Sequence, residues 1–277
     1  MNKASLSYVK KVMGDKKAKK KFGQNFLIDA NIVEKIARIG SNNEILTIEV
    51  GPGLGALTQF LIKYSKKVEA YEIDKDVYEI LKEEFNDTNF DVKLMDFLDV
   101  DLNIYKDQKI NFVSNLPYYV TTPILFKLFR SNLNINKITV MVQKEVADRF
   151  NAKVNSEDYN SLSLIVQYLF DVKYEMNVSK NCFYPIPKVD SAVVSFTPKR
   201  KRDFDYEKGL FDFIEKCFKM RRKTLHNNLK DFLANDEIDK IYNKLGLNSN
   251  ARPQELLLED YINMYEALNV WKSFRKN

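Results

Sequence analysis

A mostly parallel α/β sheet followed by a small all-helical domain is the architecture this sequence predicts, and three observations predict it. Short β-branched runs alternate with helical patterns between residues 45 and 143. Three of the eight glycines fall within five residues directly after the first of those runs. Beyond Pro198 the apolar residues keep helical spacing only. Strand and helix in alternation mean βαβ units, hence a parallel sheet with helices on both faces. At 277 residues, 45% hydrophobic and 30% charged, the chain is long enough for one large domain carrying a small one, and apolar enough to bury a core.

In chain order, the strand-like runs are Ile45 to Val50, Val68 to Ile73, Phe90 to Met95, Ile110 to Ser114 and Ile138 to Val142. The helical patterns between them are Ala56 to Tyr64, Lys75 to Phe85 and Pro123 to Phe129. Ser163 to Phe170 and Ser191 to Phe196 are further apolar stretches with no evident helix between them, expected as an antiparallel pair added at one edge. Pro198 and Lys199-Arg200-Lys201-Arg202 read as a linker, because a proline and a block of like charges extend neither strand nor helix. Tyr206 to Lys219, Leu225 to Leu233, Ile238 to Leu245 and Pro253 to Leu268 are then the helices of a second domain. The expected division is a basic flexible arm at 1–21, the sheet domain at 22–198 and the helical domain at 199–277.

Scarce residues exclude whole classes of chemistry. A single histidine, His226, cannot build an HExxH zinc site, and two distant cysteines, Cys182 and Cys217, form no CxxC and no disulfide framework. No metal site is expected. No apolar run approaches the ~20 residues of a spanning helix, and the N-terminus has no apolar core of a secretion signal, so a cytoplasmic protein without membrane contact is expected. Net charge is +6, unevenly spread: residues 1–21 carry +7, residues 198–230 carry +6 and the remainder −7. Two basic segments on an acidic body suit a polyanion touched at two places, although a lysine tail and a solvated helix face would have the same counts.

The glycines stand in Glu49-Val50-Gly51-Pro52-Gly53-Leu54-Gly55-Ala56, after a strand and before a helix. There a doubly wound sheet binds a nucleotide-like ligand, because glycine permits positive φ and close approach to the backbone. Glu72, 21 residues after Gly51, ends the second strand, where a carboxylate accepts the hydroxyl protons of a ribose. The spacing also fits a dinucleotide fingerprint. Pro52, however, removes a backbone donor that a pyrophosphate would use, and Glu49 places an anion before the loop, which repels phosphate and suits a cationic ligand. S-adenosylmethionine has a ribose, a sulfonium and an ammonium, and no phosphate.

The strand Ile110 to Ser114 runs into Asn115-Leu116-Pro117-Tyr118-Tyr119 at the same carboxyl edge. These residues suit methyl transfer to an exocyclic amine. The lone pair of adenine N6 is delocalised, so attack requires the nitrogen to pyramidalise. The Asn115 side-chain oxygen and the Leu116 carbonyl can accept its two hydrogens, Pro117 stiffens the backbone and Tyr118 can stack on the base. No histidine base is required. An ordinary turn with a buried tyrosine uses the same residues; the cofactor loop and Glu72 upstream set the two readings apart.

In this order the blocks resemble the ribosomal small-subunit rRNA adenine N6,N6-dimethyltransferases, the KsgA family, with a Rossmann-like class I methyltransferase sheet. They are Phe22-Gly23-Gln24-Asn25-Phe26-Leu27, the loop from Glu49 to Gly55, Glu72-Ile73-Asp74, Asn115 to Tyr119, Gln143-Lys144-Glu145-Val146-Ala147, Phe183 to Val194 and Arg221-Arg222-Lys223-Thr224-Leu225. The resemblance covers residues 21 to about 265. It implies that Asn25, Leu27, Gly51, Gly53, Glu72, Asp96 and Asn115 bind S-adenosylmethionine. It implies further that Asn115, Leu116, Tyr118 and Phe183 hold the target adenine, flipped between two aromatic rings, and that Arg221, Arg222 and Lys223 pair with rRNA phosphates. The implied reaction is dimethylation at N6 of two adjacent adenines in the 3′-terminal hairpin of 16S rRNA, by a monomer that takes part in small-subunit biogenesis. Lys16 to Lys21 are placed to guide rRNA, and removal of the first 21 residues is expected to weaken rRNA binding while sparing cofactor affinity.

Three positions depart from the family pattern: Met95 and Phe97 flank Asp96 where a small residue is common, Asn160 stands where glycine is frequent, and His226 replaces a frequent arginine. Erm-type dimethyltransferases, which modify a large-subunit adenine, share the loop and the tetrapeptide. A ribosome-assembly factor whose binding outweighs its catalysis, and an NAD-dependent oxidoreductase, are the alternatives of other classes.

Overall fold

The structure, a computed structural model, describes residues 2–14 and 25–274, with side chains to residue 268. The chain forms two compact units, Met1–Ala147 with Asp171–Pro198, and Asp148–Phe170 with Lys199–Asn277. The strands are β1 (Phe26–Leu27), β2 (Leu46–Val50), β3 (Lys67–Glu72), β4 (Phe90–Leu94), β5 (Lys109–Asn115), β6 (Asn134–Gln143), β7 (Phe170–Val178), β8 (Phe183–Tyr184) and β9 (Ser191–Pro198). Seven of them make one sheet in the order β4-β3-β2-β5-β6-β9-β7. Neighbours from β4 through β6 run parallel, and β9 runs antiparallel to β6. The sheet is therefore mostly parallel with an altered edge, as the alternation of patterns predicts. All five residues of β2 are buried, Thr47 and Glu49 among them, as in a parallel strand covered on both faces.

From β2 the chain passes to β3 on one side, while β5 pairs with β2 on the other. Strand order reverses there, so the carboxyl ends of β2 and β5 flank the crevice of a doubly wound sheet. Helices α1 (Leu6–Met13), α2 (Ala30–Gly40), α3 (Thr58–Tyr64), α4 (Lys75–Glu84), α5 (Thr121–Phe129) and α6 (Lys144–Phe150) precede α7 (Ser161–Leu169). The remaining helices are α8 (Phe204–Cys217), α9 (Leu225–Leu229), α10 (Asn235–Leu245) and α11 (Leu258–Phe274). In the second unit the core is built from Leu210, Ile214, Cys217, Leu225, Leu229, Ile238, Ile241, Tyr261 and Met264, all buried.

Two expectations about elements are corrected. Ser163 to Phe170, expected as a strand, is the body of α7, and the edge strand β7 begins only at Phe170. Every residue from Leu162 to Leu169 except Gln167 is buried, so the helix has no polar stripe to reveal its period. A capping box starts it: the Asn160 side chain accepts from the N–H of Leu162 and Ser163, and the Ser163 hydroxyl accepts from the Asn160 N–H. Asn160 has φ −154°, extended backbone in which glycine has no advantage. This segment also clusters with residues 199–277, whereas 22–198 was the expected extent of the sheet domain.

The second correction concerns the expected flexible arm. Its first part is α1, capped by Ser5, with Tyr8 and Val9 buried against the first unit. The lysines from Lys16 to Lys21, and Phe22-Gly23-Gln24, lie outside the described residues.

Candidate active site

After Val50 the backbone turns through Gly51, Gly53 and Gly55 with φ of 65°, 55° and 78°, the left-handed region that other residues rarely occupy. Close approach matters as much as φ. A side chain at Gly51 would lie 3.4 Å from the Pro117 ring, one at Gly53 3.4 Å from the Phe26 ring, and one at Gly55 2.6 Å from the Phe85 ring. The loop is anchored by the Gly51 N–H donating to the Tyr71 carbonyl at 2.9 Å and by the Ser114 hydroxyl donating to the Val50 carbonyl at 2.5 Å. Ser114, at the tip of β5, thus ties the glycine loop to the strand that leads into the tetrapeptide. Its role depends on strand order and has no local motif.

Glu72 ends β3 and is 6% exposed. One carboxylate oxygen accepts from the N–H of Ile73 and of Asp74, both at 2.9 Å, and the other from the Gly53 N–H at 3.4 Å. Burial pushes its pKa up from the ordinary range, and these backbone donors oppose the shift. Asp96, exposed at the end of β4, accepts from the Leu98 N–H at 2.9 Å. Asn115 is half-buried at the end of β5 and Leu116 fully buried behind it. The Tyr118 hydroxyl and Ser191 Oγ share a hydrogen bond of 2.7 Å, which orients the ring from β9.

A single cavity is lined by Asn25, Leu27, Gly51, Gly53, Glu72, Asp96, Asn115, Leu116, Tyr118 and Phe183, together with Glu49, Tyr71, Ile73 and Tyr119. Every pocket residue singled out in the sequence is gathered there. Phe183 lines it from within the core: it is 1% exposed and packs in a cluster with Leu27, Val33, Met141 and Val193. The pairing of β1 with β8 puts Leu27 opposite Phe183 and Phe26 opposite Tyr184, joining the two segments that cover the cavity.

Glu49 differs from its expected state. At 1% exposure, with the Thr58 hydroxyl donating to it at 2.7 Å, its carboxyl is pushed from 4.5 to about 8 by burial, with the nearby charge of Glu72 adding to the rise. It holds its proton at neutrality instead of standing as a fixed anion before the loop.

Arg221, Arg222 and Lys223 lie in the second unit, all exposed, in a turn just ahead of Thr224, which caps α9 by accepting from the Asn227 N–H at 3.3 Å. Buried Asn228 shapes that turn. Its oxygen accepts from the Met220 N–H at 2.7 Å and its amide donates to the carbonyls of Met220 and Thr224. The linker charges are less available than their count implies. The Lys199 ammonium donates to the Gln167 carbonyl at 2.9 Å, the Arg200 guanidinium sits 4.3 Å from the Tyr168 ring centre, and Arg202 is ion-paired with buried Glu207. Among the described residues there is no group of three or more His, Cys, Asp or Glu side chains that could hold a metal ion, and no helix is long and apolar enough to cross a membrane.

The glycine cradle and the tethered Glu72 carboxylate suit a ribose-bearing ligand, and Pro52 leaves the loop one donor short for a pyrophosphate. With the switch-point sheet they define a class I methyltransferase, which uses S-adenosylmethionine. More narrowly, the chain belongs to the ribosomal RNA adenine dimethylase family, whose sequence model matches residues 15–270. A ribosomal RNA small subunit methyltransferase A from Mycoplasmopsis pulmonis is 44% identical over 252 residues, covering 91% of this chain and 99% of that protein. Two solved structures share the fold. A dimethyladenosine transferase from Plasmodium falciparum has a TM-score of 0.72 at 24% identity, covering 87% of this chain and 96% of its own. The 23S rRNA methyltransferase ErmE has a TM-score of 0.66 at 23% identity, covering 88% of this chain and 100% of its own.

Proposed function

We propose that this protein transfers methyl groups from S-adenosylmethionine to N6 of two adjacent adenines in the 3′-terminal hairpin of 16S rRNA, giving N6,N6-dimethyladenosine. One observation carries the reading: the tetrapeptide packs directly on the cofactor loop, with the Pro117 ring 3.4 Å from the position a side chain at Gly51 would occupy, so base and cofactor subsites share one cavity. Small-subunit specificity rests on the curated relatives named ribosomal RNA small subunit methyltransferase A.

In this reading Glu72 accepts the ribose hydroxyls, Asp96 the adenine amino group of the cofactor, and Asn25, Leu27, Gly51 and Gly53 shape its cavity. Bound S-adenosylmethionine supplies an electrophilic methyl group on a sulfonium. Asn115 and the Leu116 carbonyl accept the two N6 hydrogens of the target adenine and so favour a pyramidal, nucleophilic nitrogen. Tyr118, held by Ser191, stacks on one face of the base and Phe183 meets the other from the cavity wall. Arg221, Arg222 and Lys223 pair with rRNA phosphates, and the protein works as a monomer in the cytoplasm. Incubation with unmethylated small subunits and labelled cofactor, followed by mass analysis of the nucleosides, is expected to give N6,N6-dimethyladenosine at two adjacent positions. In a parallel incubation with large subunits no label is expected; label there and none on the small subunits would replace this reading with an Erm-type one.

A further inference from the structure

Helix α1 precedes residue 15, where the match to the family's sequence model begins. Yet it is built into the outer wall of the cofactor loop. Tyr8 and Val9, 4% and 1% exposed, belong to one buried cluster with Phe26, Leu54, Val77, Leu81 and Phe85. Leu54 is itself a loop residue. The Phe26 ring lies over Gly53 and the Phe85 ring over Gly55, so the rings that back two of the three loop glycines are backed in turn by α1.

Polar ties fix the helix, and the Lys3 segment that leads into it, to both elements that flank the cavity on this side. The Tyr8 hydroxyl donates to Glu84 at 2.7 Å, and the Lys3 ammonium pairs with Glu84 while lying 4.8 Å from the Phe85 ring centre, both at the end of α4. The Lys3 N–H donates to the Gln59 side-chain oxygen at 3.1 Å, at the start of α3. Helix α3 follows the glycine loop and α4 follows Glu72. None of these contacts involves the cavity directly.

We propose that α1 is a positioning element of the cofactor site: it holds Phe26, Leu54 and Phe85 against the glycine loop and thereby sets cofactor affinity. The proposal rests on the assignment of the cavity to S-adenosylmethionine. It also separates two parts of the N-terminus that charge arithmetic treats as one, because loss of α1 weakens cofactor binding, an effect not expected of a basic arm.

The test pairs a variant with a measurement on the intact protein. In Tyr8→Ala/Val9→Ala the docked fraction of α1 falls; a drop to about a tenth raises the KM for S-adenosylmethionine about tenfold. At saturating cofactor kcat holds, and so does the KM for unmethylated small subunits, a split that a general loss of stability does not produce. Tyr8→Phe keeps the ring, loses only the hydroxyl bond, and stays within about threefold of the parent. Reciprocity requires that S-adenosylmethionine added to the intact protein slow hydrogen exchange at the amides of Val9 to Met13 by the same coupling. Unchanged exchange there, or an unchanged KM for the cofactor in the double variant, overturns the proposal even if the variant folds poorly. Failure of the intact protein to bind S-adenosylmethionine by calorimetry would instead overturn the cofactor assignment.

Discussion

Replacing Glu49 with glutamine should stabilise this protein while weakening its cofactor site. The folded-state pKa of Glu49 is raised from 4.5 to about 8, so the folded protein holds the proton more tightly than the unfolded chain does. Below pH 4.5 both states are protonated and the group has no effect on stability. As pH rises, the unfolded chain ionises while the folded carboxyl does not, and stability falls by about 1.4 kcal/mol per pH unit until the folded group titrates near pH 8. At pH 7 this amounts to about 3 kcal/mol. Glu49→Gln keeps an oxygen for the Thr58 hydroxyl and removes the titration. Urea unfolding at pH 5.5 and 7.5 should show the advantage of the variant growing by about 2.5 kcal/mol between the two. Binding should move the other way: without an ionisable partner the variant loses more affinity for cationic S-adenosylmethionine than for S-adenosylhomocysteine, measured by calorimetry at pH 8. Parallel stability profiles for the two proteins would refute the argument, since they would mean that burial does not hold the proton.

Three further changes test the remaining parts of the site. Glu72→Ala removes a carboxylate held by three backbone N–H groups and should weaken S-adenosylmethionine about 10- to 100-fold by calorimetry; unchanged affinity would place the ribose elsewhere. Asn115→Ala should lower methyl transfer by about two to three orders of magnitude in single-turnover assays, because the proposed reading makes its side chain an acceptor for the reacting amine; near-normal turnover would remove Asn115 from that role. Asn228→Ala strips partners from the Met220 N–H and from two carbonyls, so it should destabilise the protein by about 1 to 3 kcal/mol in urea unfolding. The same variant should also weaken small-subunit binding by loosening the turn that carries Arg221, Arg222 and Lys223, and intact binding would separate that turn from rRNA recognition.

The cavity was legible in the sequence because its chemistry is carried by short contiguous blocks, and parallel topology brings the carboxyl ends of β2, β3, β4 and β5 to one edge without further information. What escaped depends on burial and on contacts distant in sequence. Helix α7 is covered nearly all round, so its apolar run looks like a strand, and only the Asn160-Ser163 capping box marks its start. A lysine count cannot show that α1 turns Tyr8 and Val9 inward, although the capping serine at position 5 was a signal that such a helix begins there.

Charge carries the same lesson into function. Of the basic residues around the domain junction, Lys199, Arg200 and Arg202 engage a carbonyl, an aromatic face and a buried glutamate, whereas Arg222 and Lys223 are exposed beside a capped helix start. Net charge in this segment therefore overstates the cations offered to phosphate. If Arg221, Arg222 and Lys223 pair with rRNA phosphates as proposed, at about 0.7 to 0.9 per contact, the three charges of that turn contribute about 2 to 3 to the salt slope of binding. Lys199, Arg200 and Arg202, so engaged, add little to it. Glu49 is the acidic counterpart: a carboxylate by sequence, and a neutral acid at pH 7 by burial.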